Sequence, residues 1–249
     1  MWEFMFRWIE MPKNVMIKEY AEILASVRTY VEDQLELGFS EEPITNQNQA
    51  PTDSLFNLTE SGGIKTYNSM DDIRKAVQEC RACPLHKTRT NVVFGTGDEN
   101  TKLVFVGEAP GADEDQQGKP FVGKAGQKLT QIINAINLSR DDVYITNVLK
   151  CRPPNNRNPL PYEIEACEPY LIAQLKLINP KIICALGTFA TQTLLRTEQP
   201  ISRLRGRFHT YQGIRLMPTY HPAFLLRSPK FKKDVWEDVK KIRAEYDKE

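Results

Sequence analysis

The sequence predicts an α/β protein, a three-layer α/β/α sandwich around a mostly parallel central sheet of four strands, preceded by an N-terminal helix and a linker. Two observations support this fold class. Short apolar runs rich in β-branched residues, such as residues 102–106 and 181–186, follow one another along the chain. Between them lie segments whose apolar residues recur every three or four positions. This alternation is typical of parallel strands covered by helices on both faces.

The elements of the main domain can be placed in order. A helix is predicted over residues 70–80, because Ser69 followed by Asp72 resembles an N-terminal cap. The other predicted elements are strands over 102–106, 143–148 and 181–186, a strand pair over 208–218 that turns at Gly213, and helices over 125–137, 162–178, from 188 onward, and over 232–246.

The front of the chain predicts a separate accessory segment. Residues 1–38 are predicted to form an accessory helical segment, with an amphipathic helix over 16–37 that Gly38 closes. Residues 39–68 are polar, show no sustained period, and are predicted to be a disordered linker. The main domain then spans residues 69–249. The apolar stripe of the front helix needs a partner, either the main domain or another protein.

Charge divides the 249 residues into an acidic front and a basic body. Residues 1–79 hold 7 Lys and Arg against 14 Asp and Glu, whereas residues 80–249 hold 26 against 18. A basic body favours an anionic partner, most commonly nucleic acid. No apolar run approaches the roughly 18 residues that a membrane span needs, and the N-terminus has no small-residue cleavage site. We therefore expect no membrane association and a cytoplasmic location, where thiols stay reduced.

A stretch rich in glycine and carboxylates directly follows the first predicted strand. Residues 107–126 read GEAPGADEDQQGKPFVGKAG. The carboxyl ends of parallel strands open into a crevice where ligands bind, so this stretch predicts the wall of a ligand pocket.

Four of the five cysteines have a spacing that suits metal ligation. Cys80 and Cys83 form a C-x2-C pair, Cys151 ends the second predicted strand, and Cys167 follows sixteen residues later on a helix. Four thiolates suit zinc or an iron-sulfur cluster. Zinc ribbons usually carry two close pairs, so the spacing favours iron and sulfur, with buried free cysteines as the alternative. Cys184 lies in an apolar run and is expected in the core.

Several motifs, in this order, resemble the family-four, iron-sulfur uracil-DNA glycosylases over about residues 70–246. They are the C-x2-C pair, GEAPGADEDQQGKPFVGKAGQ, TNVLKCRPPNNRNP and MPTYHPAFLLR. The resemblance implies a monomeric DNA repair enzyme that hydrolyses the N-glycosidic bond of uracil in single- and double-stranded DNA and leaves an abasic site. It also implies a four-iron four-sulfur cluster (4Fe-4S) held by Cys80, Cys83, Cys151 and Cys167.

The resemblance further assigns roles to three residues of the base pocket. Phe121 matches the aromatic residue that stacks on a flipped uracil. Asn147 matches the residue that donates to uracil O4 and accepts from N3–H. His221 matches the donor to O2, where negative charge develops as the glycosidic bond breaks. Residues 223–227 resemble the loop that enters the minor groove. Nearby cations are expected to contact phosphate, namely Arg203, Arg205, Arg207, Lys230, Lys232 and Lys233.

Two small residues mark a departure within the superfamily. Its most efficient branch carries an aspartate that orients water where this chain has Ala109, and a tyrosine that excludes thymine where it has Gly111. The backbone near Ala109, or a carboxylate of Glu108, Glu114 or Asp115, must then position the water. We expect Glu108 to shape the pocket and position the backbone, and Glu114 to exclude thymine or contact water.

Two other functions remain compatible with the sequence. The first is a relative that captures uracil-DNA covalently on a histidine. That branch carries Gln in place of Ala109 and an inserted loop with a histidine, which residues 202–206 lack. The second is a non-catalytic iron-sulfur DNA-binding module whose acidic front binds a protein partner.

Overall fold

The computed structural model describes residues 67–248. The predicted front helix over 16–37 lies outside these residues, as does the predicted linker over 39–68 except for its last two residues.

A six-stranded sheet forms the centre of the described domain. Its strands are β1 (Thr96–Gly97), β2 (Leu103–Gly107), β3 (Tyr144–Asn147), β4 (Ile182–Leu186), β5 (His209–Tyr211) and β6 (Ile214–Thr219). They lie in the order β1-β3-β2-β4-β6-β5. The inner strands β3, β2, β4 and β6 run parallel, whereas β1 and β5 pair antiparallel at the two edges.

The parallel core is confirmed, but the predicted count of four strands is wrong. β1 has two residues, too few for any alternation of apolar and polar side chains to appear in the sequence. β5 is the outer half of the hairpin predicted around Gly213, and its register pairs Tyr211 with Ile214. A sheet edge closed by short strands leaves little unpaired backbone.

Within residues 67–248, eight α-helices connect and cover the strands. They are α1 (Met70–Gln78), α2 (Ala112–Gln117), α3 (Lys124–Ala135), α4 (Pro161–Ile178), α5 (Thr188–Leu195), α6 (Ile201–Leu204), α7 (Pro222–Arg227) and α8 (Lys232–Tyr246). The predicted cap of α1 is confirmed, because Asp72 N–H donates to Ser69 Oγ at 3.1 Å. Residues 223–227, expected as a loop, form most of the short helix α7.

Successive residues of each inner strand face opposite helical layers. Val104 and Val106 of β2 pack in a core with α1, α4 and α5. Leu103 and Phe105 pack in a second core with α3, α7 and α8. Both faces of the sheet are therefore buried, which explains why the strands are continuously apolar. The predicted three-layer α/β/α arrangement is confirmed.

The topology brings the loops that carry the candidate site residues to one edge of the sheet. From β2 the chain first adds β3 on one side and then β4 and β6 on the other. Loops that leave the carboxyl ends of these parallel strands therefore meet in one crevice. Within residues 67–248, no helix is long and apolar enough to span a bilayer.

Candidate active site and cysteine site

A cavity of about 510 Å³ opens at the carboxyl ends of the parallel strands. It brings together most of the non-cysteine residues that the sequence singled out for the site, whereas Asp115 does not line it. Its lining includes Glu108, Ala109, Gly111, Glu114, Phe121, Asn147 and His221. A second cavity of about 320 Å³ adjoins it and shares Glu108, His221 and Arg227.

Asn147 places a buried acceptor in the main cavity. The residue ends β3 and is 1 % exposed. Its side-chain Oδ1 has no hydrogen-bond partner among the described residues. A buried, unpaired acceptor costs about 1–3 kcal/mol, so this atom is poised for a ligand that brings an N–H donor.

Gly107 provides the space in which Asn147 and Phe121 meet. A Cβ atom at position 107 would lie 2.3 Å from Asn147 Oδ1 and 2.6 Å from Phe121 Cζ, distances that real Cβ atoms do not adopt. No separate role was predicted for this glycine, although its place directly after an apolar strand is the signal that could have identified it.

The ring of Phe121 forms an aromatic wall of the cavity, and its backbone is strained. Its φ of +53° lies in the left-handed region, which is unusual for a bulky side chain. Helix α3 makes this turn possible, because a Cβ at Gly126 would lie 1.8 Å from the carbonyl oxygen of Phe121. The Phe121 ring centroid lies 5.7 Å from that of His221.

His221 caps α7 and presents one nitrogen to ligands. Ala223 N–H donates to His221 Nδ1 at 3.1 Å, so the neutral ring carries its proton on Nε2. Burial, with a smaller contribution from the Arg227 charge, lowers the pKa of His221 to about 4. At neutral pH the side chain is therefore an uncharged donor.

Glu114 is occupied by backbone donors. One carboxylate oxygen accepts from Val122 N–H at 2.9 Å and Gly123 N–H at 3.1 Å. The other accepts from Gly111 N–H at 3.1 Å. Glu114 therefore joins the start of α2 to the turn that carries Phe121. Asp115 is similarly engaged, since it accepts from the backbone N–H groups of residues 90 and 91.

Glu108 is the carboxylate of the cavity whose oxygens have no hydrogen-bond partner among the described residues. Within residues 67–248 its side chain makes no hydrogen bond or ion pair, and it faces both cavities. Burial raises the pKa of the Glu108 carboxyl to about 7. A half-buried carboxyl that titrates near neutrality is well suited to accept a proton.

Ala109 and Gly111 leave the wall beside Glu108 without a long side chain. Both line the main cavity. A Cβ at Gly111 would meet Glu114 Oε2 at 2.7 Å, so this glycine allows the Glu114 carboxylate to approach the backbone.

Among the basic residues expected at phosphate, Arg205 is already paired. Its Nη2 lies 2.7 Å from a carboxylate oxygen of the buried Asp238. Arg203, Arg207, Lys230, Lys232 and Lys233 are exposed.

The four spaced cysteines share a cavity on the other side of the β3 carboxyl end. Cys80, Cys83, Cys151 and Cys167 all line it. Cys184 instead lies in β4, in the core, as expected. Burial raises the pKa of Cys83, and the neighbouring Cys151 and Cys80 raise it further. A positively charged metal centre would relieve this penalty by stabilising the thiolates.

The cysteine cavity supplies four thiol groups, the ligand set that iron-sulfur clusters use. No three His, Cys, Asp or Glu side chains of residues 67–248 converge closely enough to hold one ion. Arg89 Nη1 lies 3.1 Å from Cys151 Sγ, and Lys150 N–H donates to Cys167 Sγ at 3.3 Å. Donors of this kind stabilise negatively charged cluster sulfurs.

Comparisons with known proteins show the family to which the chain belongs. Residues 94–240 match the model of the uracil DNA glycosylase superfamily. A type-4 uracil-DNA glycosylase of Archaeoglobus fulgidus is 48% identical over 70% of this chain and 92% of its own length. The chain belongs to the type-4 branch of that superfamily.

Among two further relatives, the type-4 enzyme is more similar to this chain than the type-5 enzyme is. A type-4 uracil-DNA glycosylase of Thermotoga maritima is 45% identical over 72% of this chain and 96% of its own length. A type-5 uracil-DNA glycosylase of Pyrobaculum aerophilum is 32% identical over 51% of this chain and 63% of its own length. The family match covers both the cavity and Cys151 and Cys167, whereas Cys80 and Cys83 precede its first residue.

Proposed function

We propose that this protein is a uracil-DNA glycosylase that hydrolyses the N-glycosidic bond of deoxyuridine in single- and double-stranded DNA. The observation that carries the proposal is the unpartnered, buried Oδ1 of Asn147 in a cavity that also holds Phe121 and the neutral His221. The enzyme acts in base excision repair, as a monomer in the cytoplasm, and leaves an abasic site in the DNA.

Base recognition follows from the chemistry of the cavity walls. A flipped uracil stacks on Phe121 and presents its N3–H to Asn147 Oδ1, while the amide NH2 donates to O4. Cytosine carries an acceptor at N3 and a donor at the exocyclic nitrogen, so both contacts would be lost. Discrimination against cytosine then comes from leaving the buried amide unsatisfied.

Bond cleavage needs a stabilised leaving group and a positioned water. His221 Nε2–H donates to uracil O2, where the electron pair of the breaking C1′–N1 bond becomes delocalised. Glu108 orients a water and takes its proton as the water oxygen bonds to C1′. The products are an abasic sugar and the uracil anion, which is protonated on release. Glu114 positions the turn of Phe121, and Ala109 and Gly111 leave room beside the base.

The cysteine site has a structural part in this proposal. Cys80, Cys83, Cys151 and Cys167 hold a four-iron four-sulfur cluster that ties α1, the end of β3 and α4 together. None of the four lines the base cavity, so the hydrolytic chemistry belongs to the residues of that cavity.

An oligonucleotide assay tests the proposal. Purified protein is incubated with uracil-containing DNA, and free uracil is measured for the wild type, Asn147→Ala and His221→Ala. Loss of one oriented group typically costs about 10²- to 10³-fold in rate, and both variants should lose at least that. Absence of release by the wild type, or unchanged rates in both variants, would refute the proposal.

A denaturing gel separates the alternatives in the same experiment. A glycosylase yields strands that break after alkali treatment. A covalently capturing relative would give a shifted band, and a non-catalytic DNA-binding module would give neither result.

A further inference from the structure

Lys150 lies between the base cavity and the cysteine cavity with its side chain wholly buried. Its exposed fraction is 0 %. Its backbone N–H donates to Cys167 Sγ, and it precedes Cys151 directly. Its side-chain Nζ lies 2.8 Å from the backbone oxygen of Asn147. One residue therefore contacts both sites.

The side chain donates to three acceptors, none of which is charged. Besides the Asn147 carbonyl, Nζ lies 2.6 Å from Thr146 Oγ1 and 2.7 Å from Gln174 Oε1. The same network is anchored to Phe94, whose carbonyl accepts from both Thr146 Oγ1 and Gln174 Nε2 at 3.0 Å. The side-chain nitrogen thus lies within hydrogen-bond distance of three fixed acceptors.

Stability alone does not account for a lysine in this place. Moving a cationic side chain into the interior costs several kcal/mol, and these neutral acceptors offer no ion pair in return. An apolar side chain of similar volume would fill the site at less cost. What its hydrogen bonds do is hold the backbone of Asn147 in place.

The atom that it holds belongs to the proposed base-reading residue. Val148 N–H bonds to the Gly107 carbonyl at 2.9 Å and Leu149 N–H to the Glu108 carbonyl at 3.0 Å, which fixes the chain just after Asn147. The bond from Lys150 Nζ fixes the peptide plane of Asn147 itself. Together these bonds set the direction from which the Asn147 amide enters the cavity.

We propose that Lys150 is a positioning residue for uracil recognition, which pins the Asn147 carbonyl and thereby aligns its side-chain amide with the base. This inference rests on the proposed function. It assigns Lys150 no contact with substrate; the lysine acts through Asn147 alone.

The test replaces Lys150 by methionine, which keeps the chain length and removes the donors. Uracil release is measured in single turnover at saturating enzyme. A displacement of the reading group by about 1 Å costs on the order of 100-fold, and Lys150→Met should lose that factor while its melting temperature and iron content stay close to those of the wild type. Thr146→Val, which removes one acceptor and keeps the lysine, should show a smaller loss.

A matched control separates positioning from general stability. Thr101 is also buried, and its Oγ1 donates to the Asp142 carbonyl at 2.7 Å, but it lies at the opposite end of β2. Thr101→Val should lower the melting temperature and leave the rate per folded molecule unchanged.

The decisive readout is the coupling to Asn147. Because Lys150 acts through Asn147, adding Lys150→Met to Asn147→Ala should change the rate little further. A full additional loss in that background, or a Lys150→Met rate equal to that of Thr101→Val, would overturn the inference. If Lys150→Met does not fold, Thr146→Val tested alone and with Asn147→Ala decides the question in the same way. A wild type that releases no uracil would instead refute the proposed function.

Discussion

At the scale of single residues, Glu108 has the environment expected of a general base. Its neighbours Glu114 and Asp115 already accept backbone N–H groups, whereas the Glu108 carboxyl is half-buried and unpaired within residues 67–248. From the sequence we expect Glu114 to exclude thymine or to contact water, and Glu108 to shape the pocket. Because the Glu114 oxygens already accept three backbone N–H groups, we propose Glu108 for the water and a positioning role for Glu114.

Glu108→Gln should slow uracil release by about 10²- to 10⁴-fold, the usual contribution of a general base. The pKa of Glu108 is raised to about 7 by burial, and the base acts as the carboxylate. The wild-type rate should therefore rise with pH through about 7, and the residual rate of the variant should stay flat. Single-turnover rates measured from about pH 5.5 to about pH 8.5 cover this pKa on both sides.

The effect of Glu108→Gln on stability should depend on pH. Because the folded pKa lies above the ordinary value, the folded protein holds a proton that the unfolded chain releases between about pH 4.5 and 7. Stability from this group is present below that window and is lost as pH rises through about 7. Glu108→Gln should melt higher than the wild type at alkaline pH and similarly to it at acidic pH. If the melting temperatures of Glu108→Gln and the wild type differed by the same amount at every pH, the burial of this carboxyl would be contradicted.

At the scale of elements, the cavity depends on how α2 and α3 are joined. Glu114 stands in the first turn of α2 and accepts from the N–H groups of Val122 and Gly123 at the start of α3. Phe121 lies directly before these donors in its left-handed conformation. The carboxylate therefore holds the aromatic wall at a fixed distance from α2.

Glu114→Ala should release this wall. Three backbone donors lose their acceptor, and each such loss costs about 1–3 kcal/mol when the donor stays buried. We expect a lower melting temperature and uracil release slower by roughly 100-fold, because Phe121 is misplaced. Gln117→Ala, on the exposed side of the same helix, is the control and should match the wild type.

The base specificity of Glu114→Ala distinguishes two roles. If Glu114 touched the substrate to exclude the thymine methyl, the variant would release thymine from ordinary DNA. A residue that only positions Phe121 gives a slower enzyme that still ignores thymine. Measurement of both free bases from the same oligonucleotide decides between them.

The long elements and the hairpin at Gly213 could be predicted from sequence, whereas β1, α2 and α6 could not. β2 and β4 are continuous apolar runs, and α1 carries its own cap, so local pattern and tertiary structure agree there. α2 and α6 have six and four residues, too short to show a helical period. Residues 112–117 were therefore expected as part of an irregular acidic stretch.

The cavity residues were found through ordered motifs, and their supporting residues were not. Asn147 ends β3 and His221 lies between β6 and α7, both in recognisable motifs, so the sequence could place them in one site. Lys150 gave no such signal, because lysine is normally exposed and its burial depends on Gln174, which lies on α4, 24 residues further along the chain. Partners that are distant in sequence become visible only when the fold is known.

At the scale of the whole molecule, the cysteine cavity is formed by segments that the hydrogen bonds of the sheet do not join. Cys80 and Cys83 follow α1, Cys151 follows β3, and Cys167 lies in α4. A cluster bound to all four closes long loops of chain and stabilises the folded state against the unfolded one.

Cys151→Ser should therefore abolish iron binding and lower the melting temperature by more than a surface substitution does. Cys184→Ala is the matched control, because this cysteine is equally buried but lies in β4, outside the cavity. The control should keep the full iron content per chain. Iron analysis and thermal melts of anaerobically purified protein give both results, and a wild type without iron would refute the cluster.

The left-handed turn at Phe121 has a consequence for anyone who engineers heat tolerance into this enzyme. Most of the other non-glycine residues with positive φ in the described chain are asparagines, which adopt that conformation at little cost. A glycine at position 121 would relieve about 1–2 kcal/mol of backbone strain, but it would delete a phenyl ring that is buried in the core, at a cost of about 3–5 kcal/mol. The buried ring therefore outweighs the strain, and a redesign that removes this left-handed residue would lose both stability and an aromatic wall of the cavity.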